Sequence, residues 1–368
     1  MTIGREVLRL GRDRLAGTGA VPRRLVDLDP EYLGQLLGVQ VDSMTRLGGS
    51  EGTTDRARLA LTGEGAPATV FVKMAAAAPL TRLFGNVASL GELEIGFYRS
   101  VRPGLELEAP AALGLAFDEP TRRFMIVLED LEARQCTFAD TSTPVDVEHA
   151  AAVIDTLAVL HGSFWKSPRL DVAGVGGLGW IRANSEDPVL RLVTRALPVM
   201  ARRLVRRDGS LVPADGRAIL GDYPAIARRL DMGTHTVLHG DPHPGNCYFP
   251  PEGGAGLLDW QVIRRGNPLR DVTYFLVLGL STETRQRHQL ELLDRYRDAL
   301  AAAGGPHLPA DEAWSTYRAM AAYPYVASTF TAGLGGLQGD DIAVTGLRRA
   351  IAALDELDTA GRLGVGPT

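Results

Sequence analysis

His239-Gly240-Asp241-Pro242-His243-Pro244-Gly245-Asn246, followed by Leu257-Leu258-Asp259-Trp260, is the stretch that decides how this chain is read. An Asp, an Asn five residues later and a further Asp beyond a short hairpin form a recurrent phosphoryl-transfer layout. In that layout one carboxylate receives a hydroxyl proton, while an amide and a second carboxylate hold magnesium against a triphosphate. Asp241 is therefore the candidate base, and Asn246 and Asp259 are the candidate metal ligands. Oxygen-only donors suit a hard cation that keeps part of its water shell. Each residue alone has a plainer role: Asp241 as an Asx turn before Pro242, Asn246 as a turn residue after Gly245, Asp259 as a strand-end cap. Their joint spacing favours the metal site.

Upstream residues supply what a phosphate donor would need. Lys73 ends Val70-Phe71-Val72-Lys73, where alternation puts Phe71 and Lys73 on one strand face and Val70 and Val72 on the other. An isolated lysine there is a solvated edge-strand residue; one with a buried carboxylate partner is held in place. Glu94 is the expected partner. In the helix-like segment from Ser89 to Val101 it shares a stripe with Leu90, Phe97, Tyr98 and Val101, whereas Glu92 points away. A carboxylate inside an apolar stripe is costly unless paired, and a Lys73–Glu94 pair removes that cost. Gly48-Gly49-Ser50-Glu51-Gly52-Thr53-Thr54 reads as a glycine-rich turn of hairpin length between two strands. The run departs from a spaced G-x-G-x-x-G. One strand ahead of Lys73, it is expected to cover phosphates with backbone N–H groups of Gly49, Ser50, Gly52 and Thr53.

Working outward, the first part of the chain is strand-rich. A helix opens at Asp29-Pro30 and runs to Leu37, followed by strand-like runs at 41–47, 56–61 and 69–74 and by Phe124-Met125-Ile126-Val127-Leu128. From about residue 145 the pattern is mainly helical, with Ala150, Val153, Ile154, Leu157, His161 and Phe164 on one face. The segment from Thr282 to Leu363 reads as several further helices. A hairpin carrying Cys247-Tyr248-Phe249 and Leu257-Leu258 is the evident β insertion. The expected division is 1–130 and 131–368: an α+β chain with a small β-rich lobe and a larger helical one.

Composition narrows the function classes. Apolar residues make up 45% of 368 and charged residues 23%, as in a globular protein with room for two cores. The net charge of −5 advertises no basic surface for nucleic acid. No apolar run reaches the length of a bilayer span. The arginines and leucines of the first fifteen residues fit a surface helix or a short amphipathic membrane or targeting helix. Cys136 and Cys247 form no metal pattern, and a reduced cytoplasmic protein is the simple expectation. None of the histidines is read as a zinc ligand: His239 braces the loop, His161 is a core residue, and His243 supports the loop or contacts phosphate or acceptor. Asp271, opening the apolar run 272–280, is expected to cap a helix, either only that or while also tying down the loop.

At these residues the chain resembles the aminoglycoside phosphotransferase and choline kinase-like superfamily, small-molecule relatives of the protein kinases. The resemblance rests on Gly48 to Thr54, Lys73, Glu94 to Tyr98, Leu128-Glu129-Asp130-Leu131, Leu157 to Trp165, H-G-D-P-H-P-G-N and L-L-D-W. Two of these runs, Leu128–Leu131 and Leu160–Trp165, also resemble the ecdysteroid-kinase-like branch. The resemblance implies a bilobal protein-kinase-like fold with nucleotide in the cleft and adenine against the backbone from Glu129 to Leu131. It also implies Asp241 as base, Mg2+ on Asn246 and Asp259, and Lys73 with Glu94 as phosphate clamp. The implied activity is transfer of phosphate from ATP or GTP to a hydroxyl of a small organic molecule, without nucleic-acid or membrane partners. A kinase of aminoglycosides or macrolides is the narrower alternative, and a nucleotide-binding pseudokinase scaffold is the rival from another class. Trp260 replaces the phenylalanine of protein kinases, and no activation-loop segment separates Asp259 from Asp271.

Overall fold

A computed structural model describes residues 3–15, 21–336 and 339–366. The chain forms two compact units: Met1–Pro103 with Ala109–Cys136, and Gly104–Glu108 with Thr137–Thr368.

The first unit contains α1 (Ile3–Leu15), α2 (Pro30–Leu37), β1 (Ser43–Glu51), β2 (Thr54–Thr62), β3 (Thr69–Ala75), α3 (Pro79–Val87), α4 (Leu90–Gly96), β4 (Ala112–Asp118) and β5 (Arg123–Glu129). Asp29 starts α2 by accepting the Tyr32 N–H, Pro30 presets its first turn, and Gly38 at φ 70° ends it. The five strands form one antiparallel sheet in the order β1-β2-β3-β5-β4. Alternation works as expected on β3. Val70, Val72 and Met74 join Ala57, Leu59, Met125 and Val127 in a core closed by Leu28 and Leu33, leaving Phe71 and Lys73 on the opposite face. α1 docks on this unit through buried Asp13, which Arg82 (2.7 Å) and Arg123 (2.6 Å) hold.

Two local expectations change here. β1 runs through the glycines to Glu51, with a register shift between Arg46 and Gly48, Gly49 opposite Ala57 and Ser50 opposite Arg56. The turn shrinks to Gly52-Thr53. Gly49, at φ 152°, is a glycine for packing reasons: a Cβ there would meet the Arg56 carbonyl oxygen at 2.2 Å. The stretch after Ser89 starts as α4 and finishes in a π-helical turn over Phe97–Val101. Its stripe of Leu90, Glu94, Phe97, Tyr98 and Val101 is buried throughout.

The second unit is mainly helical. It contains β6 (Thr137–Phe138), α5 (Val147–Ser163), α6 (Pro188–Arg207), α7 (Ala214–Leu230), β7 (Thr236–Leu238), β8 (Cys247–Phe249), β9 (Gly256–Leu257) and β10 (Arg264–Gly266). Six helices follow: α8 (Leu269–Gly279), α9 (Thr282–Ala302), α10 (Ala310–Met320), α11 (Ala322–Leu334), α12 (Asp340–Glu356) and α13 (Thr359–Leu363). The expected hairpin is β8–β9, extended by β6, while β7 pairs with β10. Strands of two or three residues leave no alternation to read, so β6, β7 and β10 had no signal. Every residue of α8 is buried, as an all-round apolar helix must be, and the loop after β7 rests on its first turn. Among the described residues, no helix is long and apolar enough to cross a membrane.

Candidate active site

β7 delivers the loop His239-Gly240-Asp241. Gly240 sits at φ 92°, and a Cβ on it would meet the Val262 carbonyl oxygen at 2.1 Å, so the bend into Asp241 requires glycine. The loop's amides need acceptors, and Asp271 provides them. Its carboxylate accepts the His239 N–H at 2.6 Å and the Gly240 N–H at 3.2 Å. Asp271 thus ties down the loop, as one of its two expected readings had it, but it does not cap the helix. It lies in the first turn of α8, whose Leu269 N–H is taken by the Asn267 side chain at 3.0 Å. His161 Nε2 stands 3.5 Å from Asp271, and Tyr296 O–H holds His161 Nδ1 at 2.8 Å. His161 is a core histidine, as expected, with the added role of backing this carboxylate. Burial alone would raise the Asp271 pKa, but the His161 hydrogen bond and the nearby Arg270 and His239 hold it below the ordinary value.

His239 braces the loop in one tautomer. Its Nδ1 accepts the Asp241 N–H at 3.3 Å, so its proton is on Nε2, which donates to the Leu258 carbonyl at 3.0 Å. The ring leans on Trp260 at 4.5 Å, and burial lowers its pKa, keeping it neutral.

Asp241 keeps 30% of its side-chain surface exposed. The packing around it nevertheless desolvates the carboxylate and raises its pKa, against the opposing pull of His243, Tyr274 and His239. Tyr274 donates its O–H to Asp241 Oδ1 at 2.7 Å. Burial and the adjacent Asp241 charge raise the Tyr274 pKa well above the usual value, so it stays a donor. Tyr323 donates to the Gly240 carbonyl at 2.8 Å, with its ring 5.3 Å from that of Tyr274. His243 takes the Gly245 N–H on Nδ1 and places Nε2 3.8 Å from Asp241 Oδ2.

Asn246 and Asp259 are brought together by the β8–β9 hairpin. Asn246 donates Nδ2 to the Asp241 carbonyl at 2.9 Å, which leaves its amide oxygen as the acceptor facing outward from that bond. The Leu258 N–H donates to the Asn246 carbonyl at 3.0 Å, setting the next residue, Asp259, beside Asn246 in left-handed conformation at φ 65°. An amide oxygen and a carboxylate are donors for a hard cation that draws its remaining ligands from water and phosphate. Among the described residues, no three His, Cys, Asp or Glu side chains gather as a self-sufficient metal cage.

In the first unit Lys73 Nζ lies 2.6 Å from Glu94 Oε2, with side-chain exposures of 4% and 2%. Such a pair fixes the ammonium, because neither charge has water to turn to. Glu129 ends β5, and both its backbone N–H and its carboxylate engage Ala111, at 3.0 and 2.8 Å. Asp130 binds Arg58 at 2.6 Å, and the Leu131 carbonyl accepts the Cys136 N–H. Gly49 and Ser50 lie within the β1–β2 ladder, and the Gly52 N–H is used by the Thr54 carbonyl at 3.1 Å. Gly52 and Thr53 are therefore what remains of the expected phosphate-covering turn.

Sequence reasoning missed Tyr274 and Tyr323. Tyr274 follows Asp271 by three positions on α8, so a shared helix face was a usable signal. Tyr323, near the start of α11, had none.

A β-sheet unit with an embedded lysine–glutamate pair, and a helical unit presenting an Asp–Asn–Asp loop, define the class of small-molecule phosphotransferases. The profile of the phosphotransferase enzyme family matches residues 48–323, and the chain belongs to that family. Among solved structures it is similar to a spectinomycin phosphotransferase in complex with ADP and spectinomycin (TM-score 0.52, 11% identity, 90% of this chain and 97% of that one). It is also similar to the choline kinase LicA of Streptococcus pneumoniae (TM-score 0.49, 15% identity, 89% and 97%). At these identities the likeness to the first is one of fold. No curated protein matches the chain by sequence.

Proposed function

We propose that this phosphotransferase moves the γ-phosphoryl group of ATP or GTP to a hydroxyl of a small organic molecule. The observation that carries the reading is Asn246: its Nδ2 is committed to the Asp241 carbonyl, which leaves its amide oxygen as an acceptor, and its backbone carbonyl ties down Leu258, the residue before Asp259. Asn246 and Asp259 would hold Mg2+, which when bound neutralises charge on the triphosphate. We assign Lys73, paired with Glu94, and the hairpin-tip residues Gly52 and Thr53 to the phosphates. The backbone from Glu129 to Leu131 contacts the base of the nucleotide.

Asp241 orients the acceptor hydroxyl through Oδ2, which has only the long 3.5 Å bond from Asn246 Nδ2, whereas Oδ1 holds the 2.7 Å bond from Tyr274. The acceptor oxygen bonds to the γ-phosphorus, the bond to the β-phosphate oxygen breaks, and the hydroxyl proton passes to Asp241. A raised carboxyl pKa suits a group that must take that proton late in transfer.

The test is calorimetric titration with Mg-ATP and Mg-GTP, followed by a turnover screen of hydroxylated metabolites and antibiotics with the preferred nucleotide. Saturable, magnesium-dependent nucleotide binding is expected. Absence of binding with either nucleotide would sink the reading.

A further inference from the structure

One strongly charged group in the first turn of α8, next in sequence to Asp271, is used by nothing described so far. This group, Arg270, is 3% exposed, and its Nε, Nη1 and Nη2 all lack a hydrogen-bond partner among the described residues. A guanidinium is charged at any relevant pH and carries five N–H donors in a planar fork. Burying it with none of them satisfied is among the costliest arrangements a fold can keep. The guanidinium carbon lies 4.7 Å from the centre of the Tyr323 ring, and a ring face compensates only part of the lost hydration.

The carboxylates within electrostatic range of Arg270 are Asp271 and Asp231. Asp271 is spent on the His239 and Gly240 amides and on His161, and Asp231 Oδ2 takes the Ser185 N–H at 2.6 Å. The neighbouring cation, Arg264, is already paired with Asp187 and with the Ile263 carbonyl, so it adds positive potential without needing a ligand. Arg270 is thus the guanidinium left over. Tyr323, which it touches, binds the Gly240 carbonyl, and Tyr274, packed on Tyr323, binds Asp241. Arg270 is thus linked to the backbone of the Asp241 loop through Tyr323, and to the Asp241 carboxylate through Tyr323 and Tyr274 together.

We infer that Arg270 is a specificity-determining residue that takes an oxyanion of the acceptor, a carboxylate or a phosphate ester, while Asp241 takes its hydroxyl. A carboxylate or phosphate matches the guanidinium fork two bonds at a time, which neither a neutral alcohol nor a quaternary ammonium does. The acceptor class is then hydroxy acids or phosphorylated alcohols. This assignment rests on the phosphotransfer reading above.

The experiment titrates acetate, sulfate and inorganic phosphate into the full chain saturated with Mg-AMPPNP, so that the nucleotide's phosphate contacts are filled, and follows thermal stability and calorimetry. Wild type is expected to bind at least one oxyanion saturably. Arg270→Met should weaken that binding by at least about tenfold, the ratio for losing one charge-assisted hydrogen bond, while Mg-AMPPNP affinity is kept. Arg270→Lys, which keeps the charge but not the fork, should fall between them. Preference for acetate over phosphate would point to hydroxy acids, and the reverse to phosphorylated alcohols. Wild type showing no saturable oxyanion effect overturns the inference without any variant, as does equal binding by Arg270→Met. Intact Mg-AMPPNP binding in those cases leaves the kinase reading standing; its absence removes both.

Discussion

Two fully buried carboxylates, one in each unit, are stabilised by opposite means. Glu94 is met by a full charge, the Lys73 ammonium at 2.6 Å. Asp271 is met mainly by dipoles: two backbone amides of the loop it supports, with His161 behind it. The first arrangement fixes a side chain, the second a stretch of backbone. An ion pair sets where one ammonium points, whereas a carboxylate gripping consecutive N–H groups sets the path of the chain and every side chain on it. The difference separates a carboxylate that fixes one ammonium from a carboxylate that shapes the loop presenting Asp241.

The largest effect should come from the residue that this loop presents. Asp241→Asn is expected to lower kcat by about 10²–10⁴-fold, the range for loss of a positioned acid–base group, with Mg-nucleotide affinity retained by calorimetry. Turnover that survives the substitution would remove Asp241 from the chemistry and leave a scaffold reading in its place.

The two supports should then separate. Asp271→Asn keeps the shape but loses the charge that binds two amides and faces His161, and Glu94→Gln leaves the Lys73 ammonium buried without its countercharge. Each is expected to destabilise by about 3–5 kcal/mol, as for breaking one side of a buried charged pair. Denaturant unfolding measures this. Kinetics should distinguish them: Glu94→Gln weakens nucleotide binding, whereas Asp271→Asn lowers kcat in whatever fraction remains folded. Equal kinetic signatures would erase the contrast. The Asp271 contribution also carries a pH sign. Its folded pKa is depressed, so this stabilisation is present above the ordinary carboxylate pKa and is lost as pH falls through the folded value.

A finer probe is Tyr274→Phe, which removes a hydrogen bond that holds the Asp241 pKa down. The acidic limb of the kcat/KM profile, already above the ordinary carboxylate range, should move to higher pH, while nucleotide affinity is unchanged. A limb that stays in place would mean that Asp241 is not the group titrating. The smallest effect is expected at Arg295–Asp155, a bidentate pair whose side chains are 52% and 41% exposed. Asp155→Ala should change stability by about 0–1 kcal/mol, as for other solvated pairs.

The Glu94 arrangement was legible in the sequence because both partners carry local signals: a lysine at the end of an alternating strand and a glutamate interrupting an apolar stripe. The Asp271 arrangement was half legible. Its carboxylate stands at the head of an apolar run, which suggests a cap, but its partners are amides 31 and 32 residues away, and amides leave no trace in residue type. The same reasoning explains the glycine run. Glycines between strands suggest a turn, yet Gly49 is required by the approach of the Arg56 carbonyl across the ladder, a tertiary fact. β4 escaped notice because Ala112-Leu113-Gly114-Leu115-Ala116-Phe117-Asp118 alternates too weakly to mark a strand without β5 beside it.

By itself, then, the sequence determined the α+β class, the strand-rich and helical parts, the Asp–Asn–Asp loop and the lysine–glutamate pair. These follow from periodicity and from charges placed where only a partner makes them tolerable. Only the tertiary structure decided which atom of Asn246 bonds the Asp241 carbonyl, which tautomer His239 adopts and that Tyr274 occupies one oxygen of Asp241. It alone left the Arg270 guanidinium without a hydrogen-bond partner among the described residues. Those outcomes depend on which donors and acceptors distant segments bring into reach, and residue identity lists a group's bonding capacity without saying who uses it.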